Sequence, residues 1–259
     1  MTKSIILNPL NLNQRRLFQI GIVSLLLVFF VTLFFIFRNS ATKHSSSVIL
    51  QDSTLQVFDK TYNNFDYPDR ISVHYPYLLV VEPTKTTTTV YNLEKKEKVA
   101  QFKQVLLDYD GKNTLYNEKQ TFFNNTNLGV LCESGFMKSN EEVLCAVSST
   151  SSKSRILSVD TKSKTQKPVY ETSNLITYVT LINGKIYVGE IDTETNSFYL
   201  MVKREKIKIA TPIQLVYTLD NEIFVASFRS VFTNEKIVNY KIERDKAIKL
   251  SEEEIVIAK

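Results

Sequence analysis

The chain has 259 residues, 43% hydrophobic and 23% charged, with a formal charge of +5, and this balance excludes a disordered stalk. The basic excess is local: Lys3, Arg15, Arg16 and Arg38 lie in an acid-free start, and the rest carries 28 basic against 27 acidic residues, which excludes a nucleic-acid partner. Two cysteines and two histidines, far apart, exclude a tetrahedral thiolate metal centre.

The first element is the run Leu17 to Phe37, 21 residues without a charge, of which only Gln19, Ser24 and Thr32 are polar. At about 1.5 Å per residue a helix of this length crosses the ~30 Å hydrocarbon core, so residues 17–37 are predicted to be a transmembrane α-helix in contact with the lipid bilayer. A cleaved signal fits less well. Its apolar core is usually about 7–15 residues, and no small-x-small site precedes Arg38.

The preceding "RRLF" resembles a twin-arginine export signal, but its usual closing lysine is missing and no cofactor signature follows. Arg15 and Arg16 therefore read as the cytoplasmic flank of a signal-anchor, with Arg38 on the far side. The expected topology is a single pass in the cell membrane, with a short cytoplasmic tail over 1–16 and the large C-terminal part outside. Residues 38–47, small and polar, read as a flexible tether.

Residues 48–259 read as one extracytoplasmic all-β domain. "YPYLLVVEP", "EEVLCAVSS", "NGKIYVGEI" and "DNEIFVASF" each follow a polar turn, and each is followed by further strand candidates such as "TTTTVYNL" and "SRILSVDT". Asn183-Gly184 is a two-residue hairpin signal. Runs such as "RISVHY" and "IQLVYTL" precede several of these units and complete four strands per unit. Taking Glu82, Ser148, Glu190 and Ser227 as equivalent positions gives spacings of 66, 42 and 37 residues. Two of these approach the period of a four-stranded propeller blade. The longest hides either an insertion or a degenerate blade around "VLLDYDGKNTLYNEKQTFFNN". At ~40–50 residues per blade the domain is expected to hold four or five, as a closed or partial propeller with "SVILQDSTLQVFD" and "EEEIVIAK" as ring-closing strands, and a stacked sandwich is the alternative. In "NLEKKEKVAQFKQVLLDY" a partial helical stripe competes with the strand reading, and strands are preferred.

Phrases such as "ILSVDTKSKTQKPVYE" and "TVYNLEKKEKVAQF" follow a strand, Asp or Asn, polar turn, strand rhythm. Over roughly residues 71–250 this resembles the divergent β-propeller repeats of quinoprotein type and TolB type. The resemblance implies a propeller and nothing further. The blade-closing glycines and tryptophans of those families are absent, so no cofactor and no cofactor-binding residue is implied.

Chemistry is sparse. Cys132 and Cys145 flank a polar loop centred on residues 136–140, and a cross-strand disulfide and two buried reduced thiols both fit. An exported location favours the bridge. His44 lies in the tether, and His74 alternates with apolar neighbours as a strand-face residue. "DYDGKN" starts like a calcium loop, but its glycine comes early and Lys119 stands where the bidentate glutamate belongs. Asn124-Asn125-Thr126 is a glycosylation sequon. Glu141-Glu142 and Glu252 to Glu254 read as solvated acids, and "FVASFRSVF" around Arg229 reads equally as a binding surface or the outer edge of a strand.

No catalytic, metal or cofactor residues are predicted, and an enzyme is not expected. The expected role is a protein-interaction or assembly scaffold with an unidentified protein partner. The rival is an envelope glycan-binding module or hydrolase whose site converges only in three dimensions; a deep pocket with clustered carboxylates or His74 would favour it, and a flat aromatic face the scaffold.

Overall fold

The computed structural model describes residues 47–51, 54–63, 70–148, 153–203, 205–228, 237–244, 246–251 and 254–259. Among them twenty-four strands form six four-stranded antiparallel sheets, the blades of a β-propeller. Blade 2 shows the plan. Strand β4 (Arg70–His74) pairs β5 (Tyr77–Glu82), which pairs β6 (Thr87–Asn92), which pairs β7 (Glu97–Phe102). The same order runs through β8 (Val105–Tyr109) to β11 (Thr126–Asn127), β12 (Ser134–Met137) to β15 (Gln166–Thr172), β16 (Leu175–Ile182) to β19 (Glu205–Ile209), and β20 (Ile213–Leu219) to β23 (Lys246–Ser251).

Blade 1 is composite. The last strand, β24 (Glu254–Ala258), pairs β1 (Val48–Gln51), with β2 (Thr54–Val57) and β3 (Lys60–Asn63) outside it. The two ends of the domain are thus hydrogen-bonded into one sheet, which removes the open edges a broken ring would expose.

Burial explains the composition of each strand position. The second strands carry continuous apolar runs because both faces are covered: Leu78 to Val81 in β5 and Val143 to Ala146 in β13 are all buried. The outermost strands β7 and β15 are largely exposed and carry Lys, Glu and Gln. Apolar cores fill the gaps between blades. Leu79, Val90, Leu106 and Tyr116 join blades 2 and 3; Leu115, Met137 and Val143 join blades 3 and 4; Leu50, Leu55, Tyr217 and Ile255 help seal blade 1 between its neighbours.

The turns have local causes. Asn92 Oδ1 accepts from the amides of Glu94 and Lys95, and Asp160 Oδ1 from those of Lys162 and Ser163. Lys96 and Lys164 then take positive φ before the next strand. This Asx-capped turn is the physical content of the Asp/Asn–turn–strand rhythm. At Gly111, φ is +96°, and a Cβ would lie 2.4 Å from the Tyr77 hydroxyl oxygen, so the first turn of blade 3 needs glycine.

The expected fold is corrected in blade number, which is six and not four or five. The innermost strands begin at Arg70, Val105, Ser134, Leu175, Ile213 and Glu254, most of them closer together than the period assumed. The 66-residue gap holds a whole small blade, β8 to β11, whose outer strands have three and two residues. The ring-closing strands supply the sixth. The stretch with a partial helical stripe forms β7 and β8.

The predicted transmembrane helix is also not part of the fold seen: among the described residues no helix is long and apolar enough to cross a membrane. Leu17 to Phe37, the flanks Arg15, Arg16 and Arg38, and His44 lie outside the described residues.

Ile255 is fully buried in the core at the ring closure. Ile255→Ala is expected to cost about 2–5 kcal/mol in urea unfolding. Val169→Ala on exposed β15 should stay within about 0.5 kcal/mol of the wild type. Equal effects would show that closure at β24 does not hold the ring.

Candidate functional site at the mouth of the ring

An innermost strand is paired on one side only, so its other edge turns towards the axis with unpaired backbone groups. Side chains of the preceding blade supply much of what is missing. The Met137 amide donates to Asp108 Oδ2 (2.7 Å) and the Val179 amide to Ser134 Oγ (3.1 Å). Tyr178 accepts from the backbone amide of Val216, and burial pushes its phenol up to about 12. Thr88 Oγ1 accepts from the Leu106 amide and donates to the Gln104 carbonyl, and Tyr217 donates to the Val256 carbonyl.

Asp108 is the centre of this network. It is fully buried, and it accepts from its neighbour Tyr109's amide as well as from Met137. His74 Nδ1 lies 2.9 Å from its Oδ2, and the imidazole stacks on Phe136 with ring centroids 4.5 Å apart. Burial opposes a charge on His74, but the hydrogen bond to Asp108 and the charges of Asp108 and Asp110 outweigh it, so its pKa is raised. His74 is thus an inter-blade latch and more than a strand-face residue. No sequence signal marked its partner, which lies 34 residues away on the next blade.

A cavity of about 1020 Å³ opens at the end where the innermost strands start, lined by Arg70 to Ser72, Leu106, Ser134, Leu175 to Val179 and Gln214 among others. Three of these strands carry a β-bulge near their start, at Leu107, Thr177 and Gln214, and each bulged residue lines the cavity. An extra residue re-aims side chains and interrupts pairing. Thr177 Oγ1 is buried without a hydrogen-bond partner among the described residues.

Cys132 and Cys145 are joined in a disulfide with a Cα–Cα distance of 5.1 Å. They are not cross-strand partners. Cys145 in β13 faces Gly135 and Leu157, while Cys132 lies on the connection from β11 to β12. The bridge fastens that connection, which also carries the cavity residues Leu131 and Glu133, into the core between blades 3 and 4. Asn117 Nδ2 donates to the Cys132 carbonyl, and the Cys132 amide to Thr121 Oγ1.

The other candidates do not converge on the cavity. Asp110 accepts from the amides of Lys112 and Asn113 and from Asn113 Nδ2, so its carboxylate caps its own turn. Asn124, the sequon residue, donates through Nδ2 to Asn113 and accepts the Thr114 amide, so a glycan there would break the turn. Glu141 pairs with Lys162 and Glu142 with Lys138. Buried Glu190 accepts from Tyr170 and Asn174. Arg229, Glu252 and Glu253 lie outside the described residues. The described residues hold no group of three or more potential metal ligands.

No family model matches the sequence, and no curated protein matches it. Among solved structures, a chain of the nidogen/laminin complex aligns with TM-score 0.52 at 8% identity, over 82% of this chain and 93% of that one. BamB from Moraxella catarrhalis aligns with TM-score 0.34 at 10% identity, over 74% of this chain and 75% of that one. The Cps50 (Swd1) β-propeller domain from Myceliophteria thermophila aligns with TM-score 0.38 at 11% identity, over 79% and 76%. The similarity is one of β-propeller fold, and no narrower family is shown.

Two outcomes test the frame. Replacing Cys132 and Cys145 by serine should lower stability by about 2–4 kcal/mol in urea unfolding, against no change if the bridge constrains nothing. A raised His74 pKa contributes stability that is complete below its unfolded value of 6.5 and is lost as pH rises through the folded one. The melting temperature of wild type relative to His74→Gln should therefore be highest below 6.5 and fall above it. A pH-independent difference would refute the charged latch.

Proposed function

We propose that this protein is an interaction or assembly scaffold that presents the mouth of its propeller to a protein partner. The observation behind the reading is how the side chains of the mouth are used. Asn117, Ser134 and Ser148 are spent on the frame, bonding to Cys132, Val179 and Ile176. Leu131 stays 50% exposed beside Arg70 and Glu133. A rigid ring with an apolar, partly open mouth suits recognition. β-Propeller domains often serve as interaction scaffolds, and the fold relative with TM-score 0.52 is from a complex of two proteins, nidogen and laminin.

In this reading the protein is not an enzyme. A deep pocket exists, as the hydrolase alternative requires, but its wall lacks the clustered carboxylates. Glu133 is its one carboxylate among the described residues, and His74, Asp108 and Glu190 do not line it. The location proposed with this role is the outer face of a cell membrane, with the N-terminus on the cytoplasmic side. It is supported by the uncharged run 17–37 with its cationic flank, and by a disulfide of the kind that persists in oxidising compartments.

The test is site-specific photocrosslinking of the full chain in its own cells. A photoreactive residue at Leu131 should give a discrete adduct, and one at Val169 on the outer edge of blade 4 should not. Equal adducts at both sites, or none at Leu131, would refute the mouth as the contact surface.

A further inference from the structure

The chemistry of the segment that enters the mouth follows from which polar side chains are unspent. Among the described residues, Ser72, Glu133 and Gln214 form no side-chain hydrogen bond, and Arg70 forms one, from Nη1 to the Glu133 carbonyl at 3.5 Å. Arg70 has no carboxylate partner among those residues. Among the described residues it is the one cation of the wall, and its fork of donors suits a carboxylate in two-point contact.

The two charged groups differ in what they offer a ligand. Both side chains are exposed, and Arg70 has one long contact among the described residues, Nη1 3.5 Å from the Glu133 carbonyl oxygen, which leaves the rest of its fork open. A ligand carboxylate can take two parallel charge-assisted bonds from that fork, whereas Glu133 offers a ligand ammonium a point contact without a matching fork. Behind Arg70 the wall is apolar, with Ile71, Leu106, Leu107, Ile176 and Ile191. The bulges of β8, β16 and β20, each against the second strand of its own blade, bring Leu107, Thr177 and Gln214 into the lining.

We propose that the mouth binds a segment of a protein partner that carries a carboxylate beside an apolar side chain, the carboxylate in the fork of Arg70 and the apolar group on the wall below it. This rests on the scaffold reading of the same mouth. Gln214 stands ready to pair with the segment's main chain, and Glu133 disfavours a second acid.

The probes are the fluorophore-labelled peptide acetyl-Leu-Glu-Leu-amide and its Gln and Lys counterparts, titrated by anisotropy against the full chain in detergent. The Glu peptide should bind at least tenfold more tightly than the other two. Arg70→Gln should abolish that preference, and Arg70→Lys, which keeps the charge and loses the fork, should restore only part of it. Glu133→Gln should leave the Glu peptide's affinity unchanged or raised. Each variant must melt with the wild type, which separates lost recognition from lost folding. Equal binding of the Glu and Gln peptides, no binding of either, or a Lys preference lost in Glu133→Gln would overturn the proposal. If Leu131 still crosslinks a partner while the Glu and Gln peptides bind alike, the scaffold stands and carboxylate recognition falls. If the Glu peptide binds through Arg70 but Leu131 yields no adduct, the site takes a free carboxylate and the protein partner falls.

Discussion

The inner edge of each blade is the constraint on which the rest of this structure depends. A four-stranded sheet in a ring leaves its first strand paired on one side only, so the backbone groups of its other edge need partners from elsewhere. Here the preceding blade supplies bonds: Asp108 for Met137, Ser134 for Val179, Tyr178 for Val216. An unmade buried bond costs about 1–3 kcal/mol, more than a made one contributes, so these side chains act chiefly by preventing loss. They also couple the blades, since each contact joins residues from two sheets.

That coupling divides the polar residues near the axis into two populations. Asp108 and Tyr178 are buried and paired, and His74 is half-buried against Asp108. Those at the mouth belong partly to the frame and partly to no internal partner, and the bulges at Leu107, Thr177 and Gln214 mark where regular pairing gives way. The disulfide stands at this boundary. Blade 3 has short strands and little surface to bury, and the bridge ties its outgoing connection to the larger blade 4. A loop held in this way keeps Leu131 and Glu133 at the rim with little loss of freedom left to pay on binding.

Much of the fold was legible because a propeller repeats. The apolar runs at Leu78 to Val81 and Val143 to Ala146 stood out because both of their faces are covered, and the Asx turns after Asn92 and Asp160 left a visible mark. Blade 3 was hidden because strands of two and three residues have too few side chains to show alternation. Blade 1 is legible as ring-closing strands at the two ends of the domain but not as a blade to be counted, because its four strands come from opposite ends of the chain and no local window contains the set. The site was less legible still. The two cysteines are visible as a pair, but the hairpin between them places Gly135 opposite Cys145, and the bridge reaches instead to the connection outside the strand.

The sequence by itself determined that residues 48–259 form β-strands in repeated sets of four, because alternation, apolar runs and turn residues are properties of neighbours along the chain. It also determined the near-neutral charge of that region and the uncharged run of 17–37. Only the tertiary structure decided that the ring holds six blades, that His74 latches onto Asp108, and that Arg70, Leu131 and Glu133 meet at one mouth. Those facts depend on contacts between residues tens of positions apart, and a strand's own pattern records that it is buried without recording against what.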